Sequence, residues 1–231
     1  MNKPHLERIK RLELKHFGIE EPLPPVIQPL KEYDGSQYLI LPSKIKGNRS
    51  YPDLLVANQR THLGLNFGPT KLELAKENSF MYDPFLFVDY LLLLQSGNAF
   101  DGNENKVDQK FLTQMLNEII QVRSPQRSEW LNHHYTLQNH QMFVTYPSFD
   151  SSGKLQEITG PLDLSTLRED KLSGISLEAW LKSPTSQGLP KKDTPPGDLW
   201  YWHPRNGTVA RFSAYMVGAV LDCGGDPAGT G

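Results

Sequence analysis

Five groups of residues in this chain are of types that do chemistry. Asp101-Gly102-Asn103-Glu104-Asn105-Lys106 places Asp101, Asn103 and Asn105 at the spacing of oxygen ligands in a calcium loop. Such a loop needs glycine at its sixth position and a bidentate glutamate at its twelfth, where this chain has Lys106 and Leu112, so a plain turn between helices is expected. His133, His134 and His140 form the one histidine cluster, beside Trp130 and Tyr135. Adjacent histidines diverge on a strand and on a helix, and no acidic or cysteine partner stands at ligand spacing, so a structural role is expected and no metal. Gly224 to Gly231 has the composition of a phosphate-cradling loop, yet such a loop needs a following helix whose amides face the anion. No GxSxG elbow is present, and Cys223 falls on the inward beat of a strand, where a buried thiol is inert. Trp200, Tyr201 and Trp202 suit an aromatic core strand better than a pocket wall. No fixed catalytic constellation emerges, and no cofactor is implied.

The elements that must position these groups are set by composition. At 231 residues the chain is long enough for one sizeable core. Its 24 basic and 26 acidic residues leave a formal charge of −2, which gives no electrostatic footprint for nucleic acid or an anionic membrane. One cysteine excludes an internal disulfide. The N-terminus lacks the apolar segment of a secretory signal, and the longest apolar run, Phe85 to Leu94, contains Asp89 and is too short to span a bilayer. A soluble protein without a membrane span, cytoplasmic or virion-associated, is expected.

Along the chain, residues 1–35 read as an amphipathic helix over 4–17 followed by a proline-rich linker. Residues 36–231 read as one α+β domain. A strand is expected over 36–46, interrupted by Pro42, and a further strand or pair over 54–65, with a short helical turn over 72–76. Asp83-Pro84 opens a buried helix over 84–96 ended by Gly97, and a second helix over 108–122 carries Phe111, Met115, Leu116, Ile119 and Ile120 on one face. Residues 142–146 and 154–159 read as a hairpin, 162–181 as mixed, and 183–198 as a loop. Helices grouped together, with strands arriving late, argue against repeated βαβ units.

In the last thirty residues Ala219, Leu221 and Cys223 recur on a two-residue beat, so Phe212, Ala219 and Leu221 are expected in the core. Ser213, Tyr215, Met216, Val217 and Gly218 read as a loop without turn logic, either a contact patch or a hairpin tip tucked into the core. The framework Ala210-Arg211-Phe212-Ser213-Ala214, then Ala219, Leu221, Cys223 and Pro227, resembles the variable region of diversity-generating retroelement variable proteins that carry a C-type lectin fold. The stretch from Asn78 to Leu131 is similar to the helical part of archaeal members. The family's pattern continues past the proline into a strand of the type SxLGVR, beyond Gly231.

The resemblance implies a C-type lectin-like α+β fold with two helices packed on a twisted, mainly antiparallel sheet, and a variable region over about 209–231. It implies a ligand-binding protein, not an enzyme, whose terminal surface is diversified by adenine-directed mutagenesis through reverse transcription. The implied contact positions, on an unknown protein or cell-surface ligand, are Ser213, Tyr215, Met216, Val217, Gly218, Val220, Asp222, Gly224, Gly225, Asp226, Gly229 and Thr230; Tyr215 and Met216 are expected as anchors because large side chains near the centre of a patch carry most contact energy. The alternatives are an enzyme related to the formylglycine-generating branch of the same fold, and a viral structural protein.

Overall fold

Asp83 and Pro84 start the central helix as their types require. In the computed structural model, which describes residues 34–47, 49–122, 127–215 and 218–228, the Asp83 carboxylate accepts from the Leu86 N–H at 3.0 Å, and Pro84 takes the first turn, where its missing N–H costs nothing. We number the helices in chain order: α1 (Phe67–Lys76), α2 (Pro84–Ser96), α3 (Gln109–Ile120) and α4 (Leu177–Lys182). Gly97 closes α2 in the left-handed conformation, φ 62°. Nine residues of α2 are buried, as an all-apolar helix demands. On α3 the buried stripe is Leu112, Met115 and Ile119; Phe111, expected on that face, is exposed because it sits one residue off the stripe.

Eleven strands are described: β1 (Tyr38–Leu41), β2 (Lys44–Lys46), β3 (Arg49–Tyr51), β4 (Leu54–Ala57), β5 (Arg127–Gln138), β6 (Gln141–Phe149), β7 (Leu155–Pro161), β8 (Lys171–Ile175), β9 (Leu199–Trp202), β10 (Val209–Tyr215) and β11 (Gly218–Gly225). Seven of them make the main sheet in the order β7-β6-β5-β10-β11-β9-β8, and β1–β4 and β2–β3 form separate pairs. Every neighbouring pair is antiparallel except β9 and β11. Val220, Leu221 and Asp222 thereby stand beside Trp200, Tyr201 and Trp202.

The expected hairpin is present as β6–β7. The long β5 lies where the sequence pattern predicts no strand, and of the strand or pair expected over 54–65 only β4, ending at Ala57, forms. The helical turn at 72–76 is the end of a ten-residue helix, α1. Of the N-terminal helix and proline linker expected over residues 1–35, all but residues 34 and 35 lie outside the described residues.

The main core joins one sheet face to three helices. Phe87, Leu91 and Leu94 of α2, Leu112 and Met115 of α3 and Trp180 of α4 share it with Leu131, Tyr201, Phe212 and Leu221. Phe212 contacts Phe87, ring centroids 5.1 Å apart, and stacks on Trp180 at 6.4 Å. Burying each such ring stabilises the fold by about 1.5–3 kcal/mol. Gly188 locks the α4 side onto the start of α2: its φ is 82°, a Cβ there would lie 2.2 Å from Phe85 N, and its carbonyl accepts from Trp180 Nε1 at 2.8 Å. Among the described residues no helix is long and apolar enough to cross a membrane.

Candidate functional site

The centre of the sheet divides its two faces cleanly. Register places Glu129, Phe212, Leu221 and Tyr201 in one row facing the helices. Two rows face the other way: Ser128, Ser213, Val220 and Trp200, then Trp130, Arg211, Asp222 and Trp202. Alternation along each strand produces this, because successive side chains leave opposite faces of the pleat. Trp200 and Trp202 are half-buried, 6.0 Å apart, whereas Tyr201 between them is fully buried. The aromatic strand expected in the core is therefore core at its middle residue only.

Charge on the outer face is paired. The guanidinium of Arg211 donates from Nε to Asp222 Oδ2 at 2.9 Å, with Nη2 also 2.9 Å from that oxygen, and Asp222 Oδ1 accepts from the Gly224 N–H at 2.9 Å. Beyond the end of β9, Asp170 Oδ1 lies 2.7 Å from His203 Nδ1 and accepts from the His203 N–H at 3.0 Å, while Arg205 Nη2 donates to Asp170 Oδ2 at 2.5 Å. Burial pushes the Asp170 carboxyl up, but the His203 hydrogen bonds and the Arg205 charge outweigh it and hold it below the usual carboxylate range. Arg205 also reaches over Gly224, where a Cβ would stand 3.2 Å from Nη1. Nothing in the sequence brings Asp170, more than thirty positions away, to His203 and Arg205.

The contact positions expected from the resemblance do not all project. Ser213 and Val220 are 4% exposed and Asp222 is 9% exposed. The expectation of a fully solvated patch is corrected there, because β10 and β11 lie in the middle of the sheet with neighbours on both sides. Ser213 Oγ lies 2.8 Å from Ser128 Oγ, and Trp200 flanks Val220. Gly225 is buried with its backbone against Val209, and Gly218 and Gly224 are half-buried. Asp226 is exposed and accepts from the Ala228 N–H at 2.9 Å. Residues 213–215, read as the start of a loop, are strand. Tyr215 pairs with Gly218; its side chain, together with Met216, Val217, Gly229 and Thr230, falls outside the described residues. Phe212 and Leu221 are fully buried as expected, while Ala219 is only partly buried at the core margin.

The other chemistry-bearing motifs are taken up by structure. Both Asp101 carboxylate oxygens are engaged by its own turn, with the N–H groups of Asn103 and Asn105 at 2.9 and 2.8 Å and Asn105 Nδ2 at 3.2 Å. Among the described residues no three His, Cys, Asp or Glu side chains converge on a metal position. The histidines separate: His140 sits with Asn139 at positive φ in the β5–β6 turn, His134 is half-buried, and His133 is completely buried.

His133 belongs to a polar cluster under the start of α2. Its Nε2 is 3.6 Å from Asp83 Oδ2, which accepts from Arg49 Nη1 at 2.7 Å, and its Nδ1 is 3.1 Å from the Tyr135 hydroxyl. Arg49 donates to the Pro147 carbonyl at 3.0 Å and lies over the rings of Phe85 and Tyr146. Burial raises the Cys223 thiol far above its ordinary range, so Cys223 is no nucleophile. Comparison with protein-family models, with curated proteins and with solved structures gives no match for this chain.

Proposed function

We propose that this is a recognition protein of C-type lectin type. It binds a protein or cell-surface ligand on the outer face of β9, β10 and β11, within a C-terminal region that a retroelement diversifies. The observation that supports the reading is the separation of faces in the β10–β11 hairpin. Ala210, Phe212, Ala214, Leu221 and Cys223 of the framework are 0–1% exposed. The residues interleaved with them lie on the opposite face, beside two half-buried tryptophans and a paired Arg211 and Asp222. A surface that must tolerate many side chains requires a framework that does not depend on them. Tryptophan and arginine are also the side chains that most often carry contact energy.

Burial divides the variable positions into two kinds. Ser213, Val220 and Asp222 accept replacements only within the space their sheet neighbours leave. Gly224 and Asp226 sit at the margin and take larger ones.

The test is a displayed library randomised at Tyr215, Met216, Val217, Gly224 and Asp226, with Gly218 kept because its φ of 129° suits glycine alone, scored separately for folding and for capture of a panel of purified proteins and glycan-coated surfaces. Most members fold, and different members capture different targets. A library that folds but yields no binder to any target overturns the reading. A gene with neither a neighbouring reverse transcriptase nor an adenine-bearing near-repeat of its terminal coding sequence overturns the diversification part alone.

A further inference from the structure

A cavity of about 260 Å³ lies between the β1–β4 pair, the 58–65 segment, α1 and the first residues of β5. Its walls carry Tyr38, Phe80, Tyr82, Tyr90 and Trp130 among leucines. Whole small-molecule sites measure roughly 300–1,000 Å³, so this space suits a fragment, one ring with its immediate substituents.

The cavity borders the outer face of the sheet. Ser128 and Trp130 line it, and across the β5–β10 ladder they stand opposite Ser213 and Arg211 in the two outward rows. Among the described residues, β10 and β11 contribute nothing to its wall, so the positions implied to vary leave it unchanged. A constant, aromatic-lined cavity beside a variable surface suits a feature that many partners share.

The polar groups of the wall are of both kinds. The Asn58 amide nitrogen is committed to the Ser36 carbonyl at 2.8 Å, and the buried Oδ1, without a partner among the described residues, is an acceptor. Arg60 brings a buried guanidinium nitrogen, which can only donate, and His62 brings a buried Nδ1 that donates or accepts according to its tautomer. Glu77 and Glu129 stand against Arg60 and His62 in the same lining, so neither sign of charge is selected. An aromatic residue within a peptide meets all of these demands, because it offers a ring, an N–H and a C=O, and no charge.

We infer that this cavity seats one aromatic residue of a bound polypeptide, its ring among the tyrosine and tryptophan rings and its main-chain amides on Asn58 and Arg60. This rests on the outer face binding a protein, and it narrows the partners to those that expose an aromatic side chain. Trp130 lines the cavity and donates its indole N–H to the Leu65 carbonyl at 3.0 Å, which places a spectroscopic reporter in the wall.

The experiment titrates the full chain with N-acetyl-phenylalaninamide, N-acetyl-alaninamide, benzylamine and benzoate, read by calorimetry and by the Trp130 indole resonance. N-acetyl-phenylalaninamide saturates and shifts that resonance. The alaninamide, which lacks the ring, binds about tenfold more weakly or worse. The amine and the acid, which keep the ring but lack the amides, bind about threefold more weakly or worse. Ser79 lines the cavity from an exposed position, so Ser79→Trp fills the space without disturbing the core. That variant lowers both N-acetyl-phenylalaninamide affinity and the capture of protein targets by the displayed library, each by about fivefold or more. Absence of saturable binding by N-acetyl-phenylalaninamide, any of the other three compounds binding as tightly, or capture unchanged by Ser79→Trp overturns the inference. A library that captures nothing while N-acetyl-phenylalaninamide still saturates the cavity overturns the outer-face reading alone.

Discussion

Two groups of the same three residue types occupy opposite situations in this molecule. Arg49, Asp83 and His133 lie under the start of α2, with Asp83 and His133 fully buried; Arg205, Asp170 and His203 lie beyond the end of β9, partly in water. In the first group burial raises the Asp83 carboxyl, but Arg49, His133 and the Leu86 N–H outweigh it and keep the carboxyl below its ordinary range. Burial also lowers the His133 imidazole, against the pull of Asp83. In the second, the carboxylate is held by exposed donors that water replaces at little cost. The same chemistry is thus a fold determinant where desolvation makes every missing partner expensive, and an adjustable surface where it does not.

The largest test of that contrast is removal of the buried carboxylate. Asp83→Ala strands Arg49 and uncaps α2, and should cost about 3–5 kcal/mol in urea unfolding. A loss below about 1 kcal/mol would show that the cluster is solvated and the contrast false.

Acid titration sharpens the comparison. His133 has a folded pKa below its unfolded value of about 6.5, so the unfolded chain binds the proton first. Stability is complete above pH 6.5 and declines as pH falls through that value. Asp83 and Asp170, with carboxyl pKa values lowered from 3.8, add their loss only below about pH 3.8. His133→Gln should flatten the stability curve below about pH 6.5 and leave the carboxylate limb in place. An unchanged curve in that variant would assign the slope elsewhere.

The smallest expected effect belongs to the surface group. Asp170→Asn should cost no more than about 1 kcal/mol, and a double-mutant cycle with Arg205→Met should give a coupling of similar size. Arg211→Met should likewise leave the melting temperature within a few degrees while altering capture by any library member whose ligand reaches the outer face. A loss of several kcal/mol from either change would place these pairs with the structural group.

Much of the positioning scaffold was legible one element at a time. Asp83-Pro84 and Gly97 bound α2 where capping chemistry puts them, and Asp108 caps α3 through the N–H groups of Lys110 and Phe111. The beat of Phe212 and Leu221 identified the core face of the terminal hairpin, and the Asp101 loop declared itself a turn by the residues it lacks. These are local facts, because caps, turns and pleats are decided within a few residues.

What the chain alone did not disclose is lateral. Alternation says which face Ser213, Val220 and Asp222 leave from, but not that β5 and β9 flank their strands and hem in those side chains with Ser128 and Trp200. Nor does it say that β9 joins β11 in parallel and lines up Trp200 and Trp202 beside them. The meeting of Arg49 with Asp83 and His133, and of Asp170 with Arg205, is of the same kind. Strand order is fixed by closing long loops onto a shared core, and the free energy of that closure is spread over contacts far apart in sequence. Periodicity therefore sorts residues into faces, and only tertiary packing decides which face remains open to a ligand.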